Sequence, residues 1–128
     1  MADSVNIFVL NWNGKDLTLD CLKSLKNISY SNAKVVVIDN GSTDDSVISI
    51  KENYPDVNII KLPENIGFAG GNNAGFKLVK EKADYSIFLN NDTFVDPHFV
   101  EPLITALESN TNAKQTAPKI YYANKPDT

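Results

Sequence analysis

A single cysteine, Cys21, stands in the 128 residues, so no internal disulfide can form and a reducing, cytoplasmic setting is the expectation. No apolar run is long enough to span a bilayer. Twelve lysines and arginines face 16 aspartates and glutamates, and the net charge of −4 leaves no basic footprint for nucleic acid or for an anionic membrane. It suits a site that recruits a divalent cation. The N-terminus passes almost at once into a strand pattern, without the basic stretch and apolar core of a secretory signal. The sequons Asn27-Ile28-Ser29, Asn40-Gly41-Ser42 and Asn91-Asp92-Thr93 therefore read as chance matches. Internal repeats, linkers and low-complexity segments are missing, which leaves one domain around one core. Two common nucleotide signatures are missing as well. There is no G-x-x-x-x-G-K-[ST], and the first strand is followed by one glycine, Gly14, instead of G-x-G-x-x-G.

What the chain has is alternation. Val5 to Leu10 is a short apolar run that reads as a buried strand, and Leu17, Cys21, Leu22 and Leu25 follow at helical spacing over Leu17 to Lys26. Val35 to Ile38 is a β-branched run of the kind covered on both faces in a parallel sheet. Ser42 to Asp45 supplies N-cap chemistry for a helix striped by Val47, Ile50 and Tyr54. Val57 to Leu62 is the third strand, Ala74, Leu78 and Val79 mark the third helix, and Tyr85 to Leu89 is the fourth strand. Asp96-Pro97 predicts the start of a fourth helix, with Phe99, Val100, Leu103, Ile104 and Leu107 on one face. Lys114 to Tyr122 reads as a weak last strand. The order β-α-β-α-β-α-β-α predicts a mostly parallel, Rossmann-like sheet with helices on both faces. In such sheets ligands bind beyond the carboxyl ends of the strands.

Those ends are where the polar residues lie. Strand one ends in Asn11-Trp12-Asn13-Gly14, strand two in Asp39-Asn40-Gly41-Ser42, and strand four in Asn90-Asn91-Asp92. Strand three leads into Asn65-Ile66-Gly67-Phe68-Ala69-Gly70-Gly71-Asn72-Asn73-Ala74-Gly75, with four glycines and three asparagines. A glycine-rich loop that opens a helix brings backbone N–H groups close to a phosphate or a sugar. Four adjacent strand ends that all deliver amides or carboxylates point to a polar ligand.

Each residue has a plain alternative. Asp39 accepts hydrogen bonds from a base or ribose, or it starts a turn with Asn40-Gly41. Asp92 offers carboxylate oxygens of the kind Mg²⁺ or Mn²⁺ prefers, or it forms a turn before Thr93. Trp12 stacks on a base or lids the core. Asn72 and Asn73 bond a ligand or cap the helix they open. His98 reads as a solvent-facing helix residue, Cys21 as plain core, and Lys77, Lys80 and Lys82 as a solvated face.

Taken in order, Val9-Leu10-Asn11-Trp12-Asn13-Gly14, Val37 to Ser46, Asn65 to Gly75 and Phe88-Leu89-Asn90-Asn91-Asp92-Thr93 resemble a family 2 glycosyltransferase of the GT-A fold, in particular its rhamnosyltransferase-like branch. The pieces cover most of the chain. The resemblance implies a nucleotide-diphosphate-sugar donor site. Asp39 would meet the base edge, with Asn40 beside it. Asn11, Trp12 and Asn13 would line the base and ribose pocket. Gly70, Gly71, Asn72 and Asn73 would lie along the nucleotide. Asn90, Asn91 and Asp92 would stand at the family's D-x-D metal motif, with Asp92 the one carboxylate left to hold Mn²⁺ or Mg²⁺. An acid at Asp39 suits uracil, thymine or guanine, and the branch favours dTDP-rhamnose or a UDP-sugar.

Family members continue into an acceptor-binding half that carries the general base for inverting attack at the sugar C1. No acid here matches that base. Residues 1–128 therefore correspond to a single nucleotide-sugar-binding domain, the N-terminal, donor-binding part of an enzyme that extends a cell-surface polysaccharide on a saccharide acceptor. Such a part would bind nucleotide better than it transfers sugar. Membrane association, at the inner face, would belong to a full-length protein, and an incomplete sheet would offer an apolar surface for self-association. Two other readings compete: a non-catalytic nucleotide-binding module of the same fold, and a phosphoryl-transfer domain with Asp39 as nucleophile. The second lacks a lysine near a strand end.

Overall fold

The computed structural model describes residues 2–121. The elements run β1 (Val5–Asn11), α1 (Lys15–Leu25), β2 (Ala33–Asn40), α2 (Ser46–Asn53), β3 (Asn58–Leu62), α3 (Phe68–Leu78), β4 (Tyr85–Asn90) and α4 (Val100–Ser109). The four strands pair in parallel in the order β3-β2-β1-β4. The chain steps from β1 to β2 to β3, then returns past β1 to lay down β4. Right-handed crossovers that travel in opposite directions must place their helices on opposite faces.

The cores follow that rule. Val5, Ile7, Val9 and Val37 pack with Cys21, Leu22 and Leu25 of α1, Ile50 of α2, and Val100 and Ile104 of α4. The alternate strand residues Phe8, Val36 and Ile38 face Leu62 and Val79, with Leu10 and Ala74 at the margin. β1 and β2 are thus apolar on both sides, as a central parallel strand requires. The second face is thinly covered. Phe8 stacks on Phe88 with ring centroids 5.3 Å apart, yet Phe76, Leu78 and Phe88 are each about half exposed. Among the described residues no helix is long and apolar enough to cross a membrane.

Three sequence expectations need correction. The glycine run is mostly helix, because α3 already begins at Phe68 and contains Gly70, Gly71 and Gly75. The reason is contact with the sheet. A Cβ on Gly75 would overlap Ile38 Cδ1 and Cγ1, and one on Gly71 would lie 2.7 Å from Leu10 Cδ1. These glycines let the helix approach the strands, so the loop shrinks to the residues before Phe68.

Asp96-Pro97 does not start α4. The Asp96 carboxylate accepts from His98 N (2.8 Å), and Phe99 N donates to Asp96 O (3.1 Å). This closes a separate turn, which Ser29 N holds by donating to Pro97 O (2.8 Å). The helix then begins at Val100. His98 is exposed, as expected, but it sits in that turn with Nδ1 2.9 Å from Ser29 Oγ. Lastly, Lys114 to Tyr121 forms no strand, and Tyr122 lies outside the described residues. The segment is exposed throughout and pairs with neither sheet edge. Pro118 in its middle has no N–H for a ladder.

Candidate functional site

Parallel register aligns the strand ends. Asn11 of β1 stands opposite Asp39 of β2, and Leu10 stands opposite Asn90 of β4. The strand order reverses at β1: α1, which follows β1, packs on one face of the sheet and α3, which leads into β4, on the other, and the rim between the ends of β1 and β4 lies open. A cavity of about 360 Å³ occupies this place, lined by Leu10, Trp12, Phe68, Asn90, Asn91 and Asp92. Trp12 is 53% exposed and Phe68 62% exposed. The lining combines two exposed aromatic rings with two amides and a carboxylate.

Behind the cavity runs a buried hydrogen-bond chain. Ser42 N donates to Asp39 Oδ2 (3.1 Å), and Asn11 Nδ2 donates to Asp39 Oδ1 (2.9 Å). Thr18 Oγ1 donates to Asn11 Oδ1 (2.7 Å), and Asn91 Nδ2 donates to Thr18 Oγ1 (3.1 Å). Asn11 and Thr18 are fully buried, and Asp39 is nearly so. The chain ties the ends of β2, β1 and β4 together through α1. It fixes the orientation of Asn91, so that part of the cavity lining is preorganised.

The neighbouring turns are held in the same way. Asn13 has φ +47°, and its Oδ1 accepts from Thr43 N (2.8 Å) and Asp44 N (3.1 Å). Asn40 Nδ2 donates to Gly67 O (3.1 Å), and its Oδ1 accepts from Ile66 N (3.1 Å), which pins the approach to α3. Gly41 makes this possible, because at φ +76° a Cβ would lie 2.6 Å from the Glu64 backbone. No side chain caps α3. Its first internal bond is Gly71 N to Gly67 O (2.9 Å), so the N–H groups of Phe68, Ala69 and Gly70 have no helical acceptor.

Of the residues singled out from sequence, Trp12, Asn90, Asn91 and Asp92 converge on the cavity. Asn11, Asn13, Asp39 and Asn40 form the framework behind it. Asn72 is buried on the inner side of α3 and Asn73 is exposed, and neither lines the cavity. Gly71 is buried against Leu10 and Asn40. Sequence reading overlooked Leu10, Phe68 and Thr18. Thr18 did carry a signal, since it is the polar member of the buried stripe Thr18, Cys21, Leu22 and Leu25 on α1.

Charge at the site is carried by Asp92, which is exposed. Cys21 lies beneath it with Sγ 3.9 Å from Asn90 O. Burial pushes the Cys21 thiol up to about 11, and the Asp92 charge adds to the effect, so the cysteine is a neutral core residue. Asp44, at the edge of the Asn13 turn, is held below the usual carboxylate range. Its partial desolvation opposes the shift, but hydrogen bonds from the Ser46 hydroxyl and N–H outweigh it.

The family model for glycosyl transferase family 2 matches residues 6–128. The chain belongs to glycosyltransferase family 2. One relative is the uncharacterized glycosyltransferase YibD of Escherichia coli K12, which is 30% identical over 118 residues, 89% of this chain and 33% of that protein. Among solved structures, TarS 1-349 of S. aureus in complex with UDP-GlcNAc aligns with a TM-score of 0.73 at 16% identity, over 91% of this chain and 37% of its own. The mannosyltransferase PcManGT from Pyrobaculum calidifontis, in complex with GDP-Man and Mn²⁺, aligns with a TM-score of 0.65 at 21% identity, over 73% of this chain and 29% of its own. These likenesses establish the GT-A fold for the family 2 chain. It spans about a third of the length of curated relatives such as YibD.

Proposed function

We propose that this family 2 chain is the nucleotide-sugar-binding part of a glycosyltransferase that moves a sugar from a nucleoside-diphosphate donor to a saccharide acceptor in polysaccharide synthesis. The observation that carries the reading is the cavity at the strand-order reversal, lined by Trp12 together with Asn90, Asn91 and Asp92. A nucleotide sugar has the matching halves, a flat base and an anionic diphosphate. Of the solved relatives, TarS 1-349 is in complex with UDP-GlcNAc and PcManGT with GDP-Man and Mn²⁺. Within this class we favour dTDP-rhamnose or a UDP-sugar.

The donor set suits a divalent cation. Asp92 and the amide oxygens of Asn90 and Asn91 are hard oxygen ligands of the kind Mg²⁺ and Mn²⁺ take. Among the described residues no three His, Cys, Asp or Glu side chains gather around a common point. Diphosphate oxygens and water would therefore complete the shell. A cation bound there would neutralise charge on the departing diphosphate. The chain's own residues position the donor. The Asp39–Asn11–Thr18–Asn91 chain holds the Asn91 amide, and Trp12 offers a face to the base. Asp39 and Asn40, with Gly70 in the first turn of α3, frame the nucleotide side.

The test is binding of UDP, dTDP and GDP to the full chain, each with and without Mn²⁺, followed by thermal shift. A ligand at about 100 times its Kd stabilises the fold by about 2.7 kcal/mol. The expected result is a shift with at least one nucleotide that grows with Mn²⁺ and loses that growth in Asp92→Ala. No shift with any nucleotide would overturn the proposal.

A further inference from the structure

We infer that Phe68 is a base-stacking residue of the donor site and forms with Trp12 the aromatic wall that receives the nucleobase; this rests on the donor-site reading above. Phe68 and Trp12 are far apart in sequence, yet the return of the chain past β1 brings both to one cavity, with Leu10 also lining it. Both rings are more than half exposed. Phe8, Phe76 and Phe88, in contrast, pack on one another. An exposed ring at a cavity mouth recovers buried area only when a flat partner covers it.

The placement of Phe68 is rigid. It is the first residue of α3, and that helix is set against the sheet by the close approach of Gly71 to Leu10 and of Gly75 to Ile38. Asn40 fixes the preceding turn through Gly67 O and Ile66 N. Phe68 is therefore presented by a packed element instead of a free loop, which suits stacking, where the gain depends on a preset ring position. The polar groups Asn90, Asn91 and Asp92 line the same cavity. A ligand that satisfies both the rings and the polar groups has a planar heterocycle at one end and anionic oxygens at the other. Stacking tolerates any base, so Phe68 would add affinity without choosing among uracil, thymine and guanine.

The experiment compares wild type, Phe68→Ala and Phe68→Tyr for affinity toward UDP, dTDP, GDP and inorganic pyrophosphate, all with Mn²⁺. Loss of one aromatic stacking partner weakens binding by roughly 5- to 150-fold. The expected result is a loss in that range for the nucleotides in Phe68→Ala, unchanged pyrophosphate binding, and recovery in Phe68→Tyr. Equal nucleotide affinity in wild type and Phe68→Ala would overturn the inference and leave the donor site standing. A parallel loss for nucleotide and pyrophosphate would also overturn it, because the ring would then be shaping the phosphate side. Failure of wild type to bind any nucleotide would remove the donor site and this inference with it.

Discussion

Replacing Gly75 with alanine tests the claim that α3 owes its glycines to the sheet. Alanine in place of a mid-helix glycine contributes about 0.8–1.0 kcal/mol of stability through helix propensity alone. Here the new Cβ would overlap Ile38 Cδ1 and Cγ1. Ile38 is fully buried in the second core and, being β-branched, is stiff at χ1. The overlap must be relieved by moving the helix, and overpacking of this kind costs about 1–3 kcal/mol. The net expectation is destabilisation of up to about 2 kcal/mol. Gly70→Ala is the control, because its Cβ would meet only the Ile66 side chain at 3.4 Å, an ordinary contact. It should be neutral or stabilising by up to about 1 kcal/mol. Gly71→Ala should fall between the two, since the Leu10 end that it meets at 2.7 Å can swing toward the cavity. Urea unfolding of the three variants, and of Gly75→Ala in an Ile38→Val background, supplies the numbers. The double variant lacks the Cδ1 atom, so the cost of Gly75→Ala should shrink there by at least about 0.5 kcal/mol. If Gly75→Ala and Gly70→Ala behave alike, or if Ile38→Val leaves the cost unchanged, close approach is not what the glycines serve.

Three further outcomes concern Thr18 and Cys21 of α1. Thr18→Val keeps the side-chain shape but leaves Asn11 Oδ1 and Asn91 Nδ2 without Thr18 as partner, and should cost about 1–3 kcal/mol in urea unfolding; a cost under about 0.5 kcal/mol would show that water replaces the hydroxyl and that the chain of bonds is not a stabilising unit. Cys21 should resist iodoacetamide at pH 8 in the folded protein and react once it is unfolded. Its folded pKa of about 11 lies above the ordinary 9.0, so the thiol's stabilising contribution is complete below about pH 9 and is lost as pH rises toward 11. Cys21→Ala should lack that component of the alkaline decline, and an identical decline in both proteins would remove Cys21 as its source.

Much of this architecture was legible along the chain. The apolar runs Val5 to Leu10 and Val35 to Ile38 are strands because branched and aromatic residues suit burial on both faces, and Tyr85 to Leu89 has similar residues at the sheet edge, a property each segment carries locally. Their order implied parallel pairing, and parallel pairing sent Trp12, Asp39 and Asp92 to one rim. Local chemistry misled where two signals compete. Asp96-Pro97 has the residues of a helix start, yet a contact with Ser29 from a distant loop closes it into its own turn. Lys114 to Tyr121 has strand-like residues but pairs with neither sheet edge, and pairing is what makes a strand.

The division of labour within the site could not be read along the chain. Asn11, Asn13, Asn40, Asn72, Asn90 and Asn91 are chemically identical, and their roles differ only through the partners that register and crossover direction bring near. Asn11 spends its amide on Asp39 and Thr18, while Asn90 lines the cavity. Leu10 read as part of a buried strand and Phe68 had no separate reading, because hydrophobicity alone says nothing of which side of a helix or strand end lies open. That is set by how closely α3 settles on β1 and β2, and by the reversal of strand order that leaves a gap above β1. Composition and periodicity specify the elements and the rim, whereas distances between elements specify which rim residues are free to meet a ligand.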